Sequence, residues 1–228
     1  MKRHKFEEIK QFRPRTWRYG KGKDKAYRRY YLAKLAGDKC FIKIAENDET
    51  VKNEIKMQKY LNSEKFKYTP EYKKADKFFS DTQVMLAISF IEDLHQIKTP
   101  TNERSLELIC KEFINICDYL FNKQIIHADI HKGNLLQKKD GSLVILDFGI
   151  SMASSVENTV DYVARPGTFF VENRNIREYD DVYSFLKMLD SVGIDEELKY
   201  TAPYKKIVSL LGRYSKKIDL NDYRKNYS

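Results

Sequence analysis

The sequence predicts an α+β fold in which a small antiparallel sheet precedes a mainly helical part. Residues 26–45 alternate apolar and polar side chains, and residues 83–91 form an apolar run, as strands do. Residues 102–122 instead repeat apolar side chains at helical spacing, and the pattern from Tyr179 onward is again helical. The change falls near residues 92–100. We therefore expect a single domain with two parts, residues 1–92 and residues 93–228.

The first part is predicted to contain a hairpin, a helix and a further strand. Residues 26–36 and 39–45 alternate on either side of a turn at Gly37-Asp38, which is typical of two hydrogen-bonded strands. Residues 49–61 carry apolar side chains near helical spacing, so a helix follows the hairpin. The apolar run 83–91 then predicts a buried strand.

The second part begins with a long amphipathic helix over residues 102–122. Short strands are predicted at 134–137 and 143–147, separated by a Lys-Lys-Asp-Gly turn at 138–141. The apolar stripe of the helix consists of Leu106, Ile109, Phe113, Ile116 and Leu120.

The composition favours a cytoplasmic protein that binds an anion. The 42 Lys and Arg residues exceed the 33 Asp and Glu residues and give a net charge of +9, with much of the excess in residues 1–30. Such a stretch attracts nucleotides, nucleic acid, acidic lipid headgroups or phosphorylated glycans, or it forms a solvated basic surface. Residues 1–12 lack the apolar core of a secretory signal, and the longest apolar run, residues 84–91, is far shorter than the ~20 residues of a membrane span. We expect no transmembrane segment, and peripheral contact with a membrane stays open.

The three cysteines predict neither a disulfide framework nor a metal site. Cys40, Cys110 and Cys117 show no paired pattern and no metal-ligand spacing. Cys110 and Cys117 fall on one predicted helix, roughly 10 Å apart along its axis, which is too far for a disulfide. We interpret them as core residues in a reducing compartment.

The segment 125–151 carries the residues that point to chemistry. It contains Asp129, Asn134 and Asp147. Phosphoryl transfer needs a carboxylate that orients the attacking hydroxyl and accepts its proton, and Asp129 suits this task. It also needs oxygen ligands for magnesium, which prefers carboxylate and amide oxygens, and Asn134 and Asp147 suit that task.

These residues resemble the protein-kinase-like superfamily. Its catalytic loop reads H-x-D-x-x-x-x-N and is followed by D-F-G after a short hairpin. Here the loop runs from His127 to Asn134, and Asp147-Phe148-Gly149 begins thirteen residues later. The resemblance implies a bilobal fold, with a small antiparallel-sheet N-lobe, an abbreviated mainly helical C-lobe, and ATP and Mg²⁺ bound in the cleft. The loop is also similar to those of aminoglycoside phosphotransferases and lipopolysaccharide core sugar kinases.

The resemblance implies a lysine that contacts the nucleotide phosphates. Lys43, which apolar residues flank on a predicted strand, matches that position. A carboxylate on the following helix is expected to hold it. Glu54 is the preferred partner, and Glu49 is the alternative.

Further nucleotide contacts are also implied by the resemblance. Gly20 and Gly22 lie where a glycine-rich loop covers the phosphates, although the third glycine of the pattern is replaced by Lys25. The backbone of Ser89 to Ile91 lies where the family binds adenine. Phe41 stands where the family has a small residue in the roof of the adenine pocket.

The acceptor of the phosphate is predicted from two conflicting sets of residues. His131 stands where Ser/Thr protein kinases usually have lysine, and with the basic N-terminal stretch it favours a sugar or glycolipid acceptor. Gly167-Thr168 resembles a stretch of protein kinases, and Asp181 opens a D-V-Y-S-F segment whose aspartate anchors the catalytic loop in those enzymes. We expect a protein serine/threonine kinase slightly ahead of a sugar, glycolipid or other small-molecule kinase.

Two further classes compete with an active kinase. A catalytically inactive pseudokinase would keep the fold as a binding module, but all the core residues are present. A nucleic-acid-binding protein would explain the charge but not the catalytic loop, and no recognised nucleic-acid motif occurs. Ala128 replaces the arginine that often precedes the catalytic aspartate in regulated protein kinases, so we expect activity that phosphorylation does not control.

Overall fold

A computed structural model describes residues 5–12, 17–19, 26–78, 80–156, 171–173 and 176–219. The chain divides into two compact units, Met1–Glu92 and Asp93–Ser228. The first contains an antiparallel sheet and a helix, and most of the helical residues lie in the second. This distribution confirms the predicted α+β fold class.

The first unit is built on an antiparallel sheet with a helix beside it. Neighbouring strands pair in the order β1-β3-β4-β6-β5, and β2 pairs with β3. The elements are β1 (Phe6–Gln11), β2 (Trp17–Tyr19), β3 (Ala26–Leu35), β4 (Asp38–Glu46), α1 (Glu49–Ser63), β5 (Tyr72–Phe78) and β6 (Ser80–Ser89).

The hairpin of β3 and β4 turns one residue earlier than the sequence predicts. Leu35 pairs with Asp38, so Ala36 and Gly37 are the two turn residues. Both have positive φ, +52° and +88°. A two-residue turn with positive φ at both positions matches the right-handed twist of the strands, and this places Asp38 in the strand instead.

The sequence did not predict β1 or β5. Both strands stand at the ends of the strand order, and their residues are mostly charged and at least partly exposed. Charged side chains are favoured on such flanking strands because they discourage pairing with other chains. Because so many of these side chains are charged, the alternation of apolar and polar residues that indicates a strand is not visible in the sequence.

The two faces of β4 pack against different neighbours. Cys40, Ile42 and Ile44 belong to a core cluster of the sheet. Ala45 lies on the opposite face and packs with Val51 of α1. Since side chains two residues apart share a face of a strand, Lys43 also points to the side covered by α1.

The second unit combines short strand pairs with helices. None of the helices in the described part of the chain is both long enough and apolar enough to span a membrane. The elements are β7 (His95–Gln96), α2 (Glu103–Asn122), β8 (Ile125–Ile126), β9 (Leu135–Gln137), β10 (Leu143–Ile145), β11 (Met152–Ala153), β12 (Val171–Asn173), β13 (Ile176–Tyr179), α3 (Asp181–Ser191), α4 (Glu196–Tyr200), α5 (Ala202–Leu211), a 3₁₀ turn (Gly212–Tyr214) and β14 (Ile218–Asp219).

The central helix α2 agrees with the prediction at both ends. The Asn102 side chain accepts the N–H of Ser105, and the Ser105 hydroxyl oxygen accepts the N–H of Asn102, which forms a capping box. The whole predicted stripe is buried. One of its members, Phe113, stacks on Phe185 of α3 with ring centroids 3.8 Å apart. The prediction of helix from Tyr179 was early, because Tyr179 lies in β13 and α3 begins at Asp181.

The stacked pair predicts a large loss of stability for Phe113→Ala. Phe113 is 1% exposed, so truncation leaves a cavity against Phe185, and we expect a cost of about 3–5 kcal/mol. Leu108→Ala on the same helix is the matched control, because Leu108 is 56% exposed, and it should cost less than about 0.5 kcal/mol. Urea unfolding of both variants measures the two values. Equal costs would show that the stacked pair does not hold α2 to α3.

Candidate active site

The catalytic loop, residues 127–134, is anchored by the first residue of α3. The backbone N–H groups of His127 and Ala128 donate to the two carboxylate oxygens of Asp181, at 2.8 and 3.1 Å. Ala128 has φ +65°, a left-handed conformation that is unfavourable for a residue with a side chain. The two hydrogen bonds hold the loop in this conformation, as the likeness to the D-V-Y-S-F segment implied.

A tyrosine that the sequence analysis missed supports the same loop. Tyr179 is fully buried, and its hydroxyl accepts the N–H of Ile130 at 2.8 Å. Nothing in the spacing around Tyr179 distinguishes it from a core aromatic, so only the fold reveals this contact.

Burial governs the charge state of Asp181. It raises the pKa of this carboxyl to about 7, although the donors from His127, Tyr179 and Ala128 act in the opposite direction. The carboxylate is therefore ionised above neutral pH, where both of its oxygens accept hydrogen bonds.

Asp129 is fully buried and is oriented by its own loop. The side-chain nitrogen of Asn134 donates to the Asp129 carbonyl at 3.0 Å and to its Oδ2 at 3.1 Å. The N–H of Asp129 donates to Nδ1 of His127 at 3.2 Å. These hydrogen bonds fix the orientation of the Asp129 carboxylate, as proton transfer to a side chain requires.

His127 connects the catalytic loop to the Asp147-Phe148-Gly149 motif. Burial lowers the pKa of His127 to about 4, so the ring is neutral. Its Nδ1 accepts the N–H of Asp129, and its Nε2 donates to the carbonyl of Leu146 at 2.9 Å. The ring also meets Phe148 edge-on, with centroids 4.7 Å apart. The histidine therefore holds together two segments that are well separated in sequence.

Asn134 and Asp147 offer the oxygen donors that magnesium prefers. Both side-chain hydrogen bonds of Asn134 use its nitrogen, so its Oδ1 has no hydrogen-bond partner within the ranges described above. The N–H of Leu146 donates to the Asn134 carbonyl at 2.8 Å, which fixes Asn134 next to the strand that leads to Asp147. An amide oxygen and a carboxylate fit this hard cation. Asp147 has φ +59°, a strained conformation of the kind found at functional sites.

In the first unit, Lys43 forms a buried ion pair with Glu54. Both side chains are only 7% exposed. Glu49, the alternative partner, instead pairs with Lys52 at 2.7 Å on the surface. Asp48 caps α1 so that the helix starts at Glu49, which puts Glu54 in the second turn, among the buried residues of the helix. Lys43 and Glu54 are only eleven residues apart in sequence. Because α1 already starts at Glu49, Glu54 nevertheless lies within the helix.

The structure describes only some of the other residues that are predicted to contact the nucleotide. The N–H of Ser89 donates to the carbonyl of Glu71 at 2.8 Å, so it is already occupied within the sheet. The N–H of Ile91 has no hydrogen bond with any residue that the structure describes. Of the N–H groups of Ser89 and Ile91, that of Ile91 is therefore the one that can donate to adenine. Gly20 and Gly22 lie outside the described residues, and so does nearly half of the basic stretch, residues 1–30.

The segment after the D-F-G motif is described only to residue 156. Ser151 is fully buried, and its hydroxyl donates to the His127 carbonyl at 2.9 Å, so it is a structural residue. Ser154 and Ser155 are exposed. Gly167-Thr168, which resembled protein kinases, lies outside the described residues.

The anchored loop, the oriented aspartate, the following D-F-G motif and the Lys43–Glu54 pair define a member of the protein-kinase-like superfamily. The model of the ABC1 atypical kinase-like domain matches residues 47–175, which is more than half of the chain. The chain belongs to this family. The match includes Glu54, Ser89, Ile91, Asp129, Asn134 and Asp147, but not Gly20, Gly22, Phe41, Lys43 or Asp181.

The curated relatives that the chain resembles are kinases of greater length. An Aurora kinase from Saccharomyces cerevisiae is 27% identical over 200 residues, which cover 75% of this chain and 51% of the relative. Serine/threonine-protein kinase 36 from Mus musculus is 25% identical over 197 residues, 81% of this chain and 14% of the relative. Serine/threonine-protein kinase 10 from Danio rerio is 30% identical over 82 residues, 33% of this chain and 8% of the relative. The chain thus spans about half or less of the length of these relatives.

The raised pKa of Asp181 predicts a stability that increases on acidification. Since the folded pKa of about 7 exceeds the unfolded value of about 3.9, this stabilisation is fully present below about pH 4 and is lost as the pH rises through 7. Relative to Asp181→Asn, which does not titrate, the wild type should lose up to about 1.4 kcal/mol per pH unit between about pH 5 and 7. Urea unfolding of both proteins measures the difference. A difference that is constant with pH would contradict the assignment.

Proposed function

We propose that the chain is an ATP- and magnesium-dependent kinase that transfers the γ-phosphate of ATP to a hydroxyl group. The observation that carries the proposal is the fixed orientation of Asp129. Its carboxylate is fully buried, one oxygen accepts from Asn134, and the loop around it is anchored by Asp181. Such preorganisation suits a reaction whose catalysis consists of positioning and charge neutralisation.

Each residue of the site has a separate role in this proposal. Asp129 orients the acceptor hydroxyl and receives its proton. Asn134 and Asp147 hold magnesium, which when bound neutralises charge on the transferred phosphate. The side-chain nitrogen of Asn134 already holds Asp129, so the same amide can serve Asp129 with its nitrogen and the metal with its oxygen.

The buried ion pair of the first unit supports a polyanionic ligand. Burial of Lys43 with Glu54 requires that both charges leave water, which costs several kcal/mol per ion before their attraction is counted. Glu54 fixes the direction of the lysine ammonium. We propose that this ammonium contacts the phosphates of ATP, as the position implies.

A protein serine/threonine acceptor is favoured over a small molecule. Two of the relatives reported above carry the name of serine/threonine-protein kinases, and Asp181 anchors the loop as the D-V-Y-S-F likeness implied. One observation favours a sugar, glycolipid or other small-molecule acceptor: His131 replaces the lysine usual in protein kinases. A pseudokinase is the less favoured reading because Lys43, Asp129, Asn134 and Asp147 are all present. The cytoplasmic location stays a prediction.

Asp129→Asn tests the activity and identifies the acceptor. The amide cannot accept the hydroxyl proton, so we expect phosphate transfer to fall at least about 100-fold. The protein is incubated with γ-labelled ATP, magnesium and a lysate of its own source, and label is counted separately in protein and in extracted glycolipid. Asp93→Asn is the control, because Asp93 is an exposed aspartate of the same unit and should label as the wild type does.

The distribution of the label decides between the acceptors. Label in protein that depends on Asp129 supports a protein kinase, and the same label in the lipid or sugar fraction supports a glycan kinase. A wild type that labels neither fraction above Asp129→Asn and releases no ADP would refute catalysis and leave the pseudokinase.

Lys43→Met tests the nucleotide contact. Loss of the ammonium should reduce kcat/KM for ATP by about 100-fold or more, because a charged donor to the phosphates is lost. Lys39→Met is a matched control, since Lys39 lies on the same strand and pairs with Glu92, but its side chain is 61% exposed. ADP release at varied ATP concentration measures both. Equal losses in the two variants would remove Lys43 from the nucleotide site.

A further inference from the structure

We propose that Ser215 is a positioning residue for the catalytic loop. Its hydroxyl holds the carboxylate of Asp180, and the adjacent Asp181 anchors the loop. The inference rests on the proposed kinase function. It adds a contact from the segment that follows α5, residues 212–219, which that function does not yet use.

Asp180 is a buried carboxylate with a donor on each oxygen. It is 1% exposed, its Oδ1 accepts the N–H of Tyr183 at 2.8 Å, and its Oδ2 accepts the hydroxyl of Ser215 at 2.6 Å. The first bond caps α3, because the N–H groups of the first turn have no acceptor within the helix. The second bond joins residues that are 35 positions apart. A carboxylate so little exposed needs such donors to stay ionised.

The segment that carries Ser215 is itself fixed, so the hydroxyl is a donor at a defined position. The hydroxyl of Tyr214 donates to Oδ1 of Asp118 on α2 at 3.2 Å. Further along, Ile218 lies in β14, which pairs with β13, and it is buried in the same core cluster as Ala128 of the catalytic loop. The segment therefore has an apolar contact with the cluster that contains the loop and a polar contact with the start of α3.

The effect of Ser215 on the loop passes through the start of α3. Asp180 is the cap and Asp181 is the first residue of the helix, so a change in the backbone of Asp180 displaces the carboxylate of Asp181. That carboxylate accepts the N–H groups of His127 and Ala128. Without Ser215, a buried oxygen of Asp180 loses its donor, which is unfavourable. We expect Asp180 to turn toward water, which disturbs the cap and loosens the anchor of the loop.

Four variants test whether Ser215 acts through Asp180. Ser215→Ala removes the donor. Ser215→Thr keeps the hydroxyl, and threonine is compatible with the site because residue 215 is exposed and its backbone is extended, with φ −64° and ψ 121°. Asp180→Ala removes the carboxylate that the hydroxyl holds. In the double variant of Ser215→Ala and Asp180→Ala, both partners are absent.

Ser191→Ala is the matched control. Ser191 is the last residue of α3, and its hydroxyl donates to the carbonyl of Met188 at 2.7 Å. The variant therefore loses a serine hydrogen bond of similar length at the other end of the same helix. Its activity should match that of the wild type.

The rate of label transfer at saturating ATP is measured as for Asp129→Asn, and ATP binding is measured by calorimetry in a chelator. We expect Ser215→Ala to lower kcat about 10-fold, because the loop that carries Asp129 is misplaced. ATP affinity should be unchanged, since the proposed phosphate contact, Lys43, lies in the first unit. Ser215→Thr should recover most of the rate. The double variant should be no slower than Asp180→Ala alone, because Ser215 acts through Asp180.

Hydrogen exchange gives a readout that does not depend on activity. The amides of His127 and Ala128 donate to Asp181, so their exchange measured by NMR reports the state of the anchor. The amides of α2 report the global stability of the unit. Ser215→Ala should speed the exchange of His127 and Ala128 more than that of α2, whereas a merely structural role would speed both sets equally.

The outcomes separate failure of this inference from failure of the proposed function. If Ser215→Ala matches Ser191→Ala in rate and in the exchange of His127 and Ala128, the positioning role is overturned and the kinase function stands. A double variant slower than Asp180→Ala would also overturn it, because Ser215 would then act by another route. If the wild type transfers no label and releases no ADP, the kinase function fails, and the exchange of the two amides still decides whether Ser215 steadies the loop.

Discussion

The arrangement of the catalytic loop depends on the carboxylate of Asp181. This carboxylate accepts the N–H groups of His127 and Ala128 and holds Ala128 in a left-handed conformation that an alanine does not favour. Because the chain turns there, the ring of His127 reaches the carbonyl of Leu146, and Asp129 follows at the position where Asn134 can orient it. Loss of this anchor would release Asp129, the proposed proton acceptor, and Asn134, a proposed metal ligand, together.

Each unit buries charged groups whose removal from water costs free energy and is offset by pairing within the protein. In the first unit, Lys43 and Glu54 are buried as a pair on the helix-covered face of β4. In the second unit, Asp129 has no exposed surface and is stabilised by hydrogen bonds to Asn134 and its own loop. Burying these charges in an apolar setting is unfavourable, and perturbed or buried ionisable groups cluster at functional sites. The family match covers Asp129 and Asn134, and of the ion pair in the first unit it covers Glu54.

The sequence predicted the elements that are determined by residues close to one another along the chain. Helix α2 followed from the spacing of its apolar residues, and the partner of Lys43 was narrowed to Glu54 or Glu49 by the family pattern. The choice between the two needed the start of α1, which is set by its cap. The flanking strands β1 and β5 escaped prediction because charge masks their alternation. Tyr179 escaped because its contact with Ile130 joins residues 49 positions apart, and no local pattern encodes such a contact.

We propose above that the groups around Asp129 and Asp147 bind ATP with magnesium. The most direct test is calorimetric titration of the protein with ATP, in magnesium and in a chelator, for the wild type and for Asp147→Asn. The account predicts that magnesium strengthens ATP binding to the wild type and does so far less in Asp147→Asn, because a carboxylate ligand is lost. Equal affinity of the wild type for ATP with and without magnesium would contradict it.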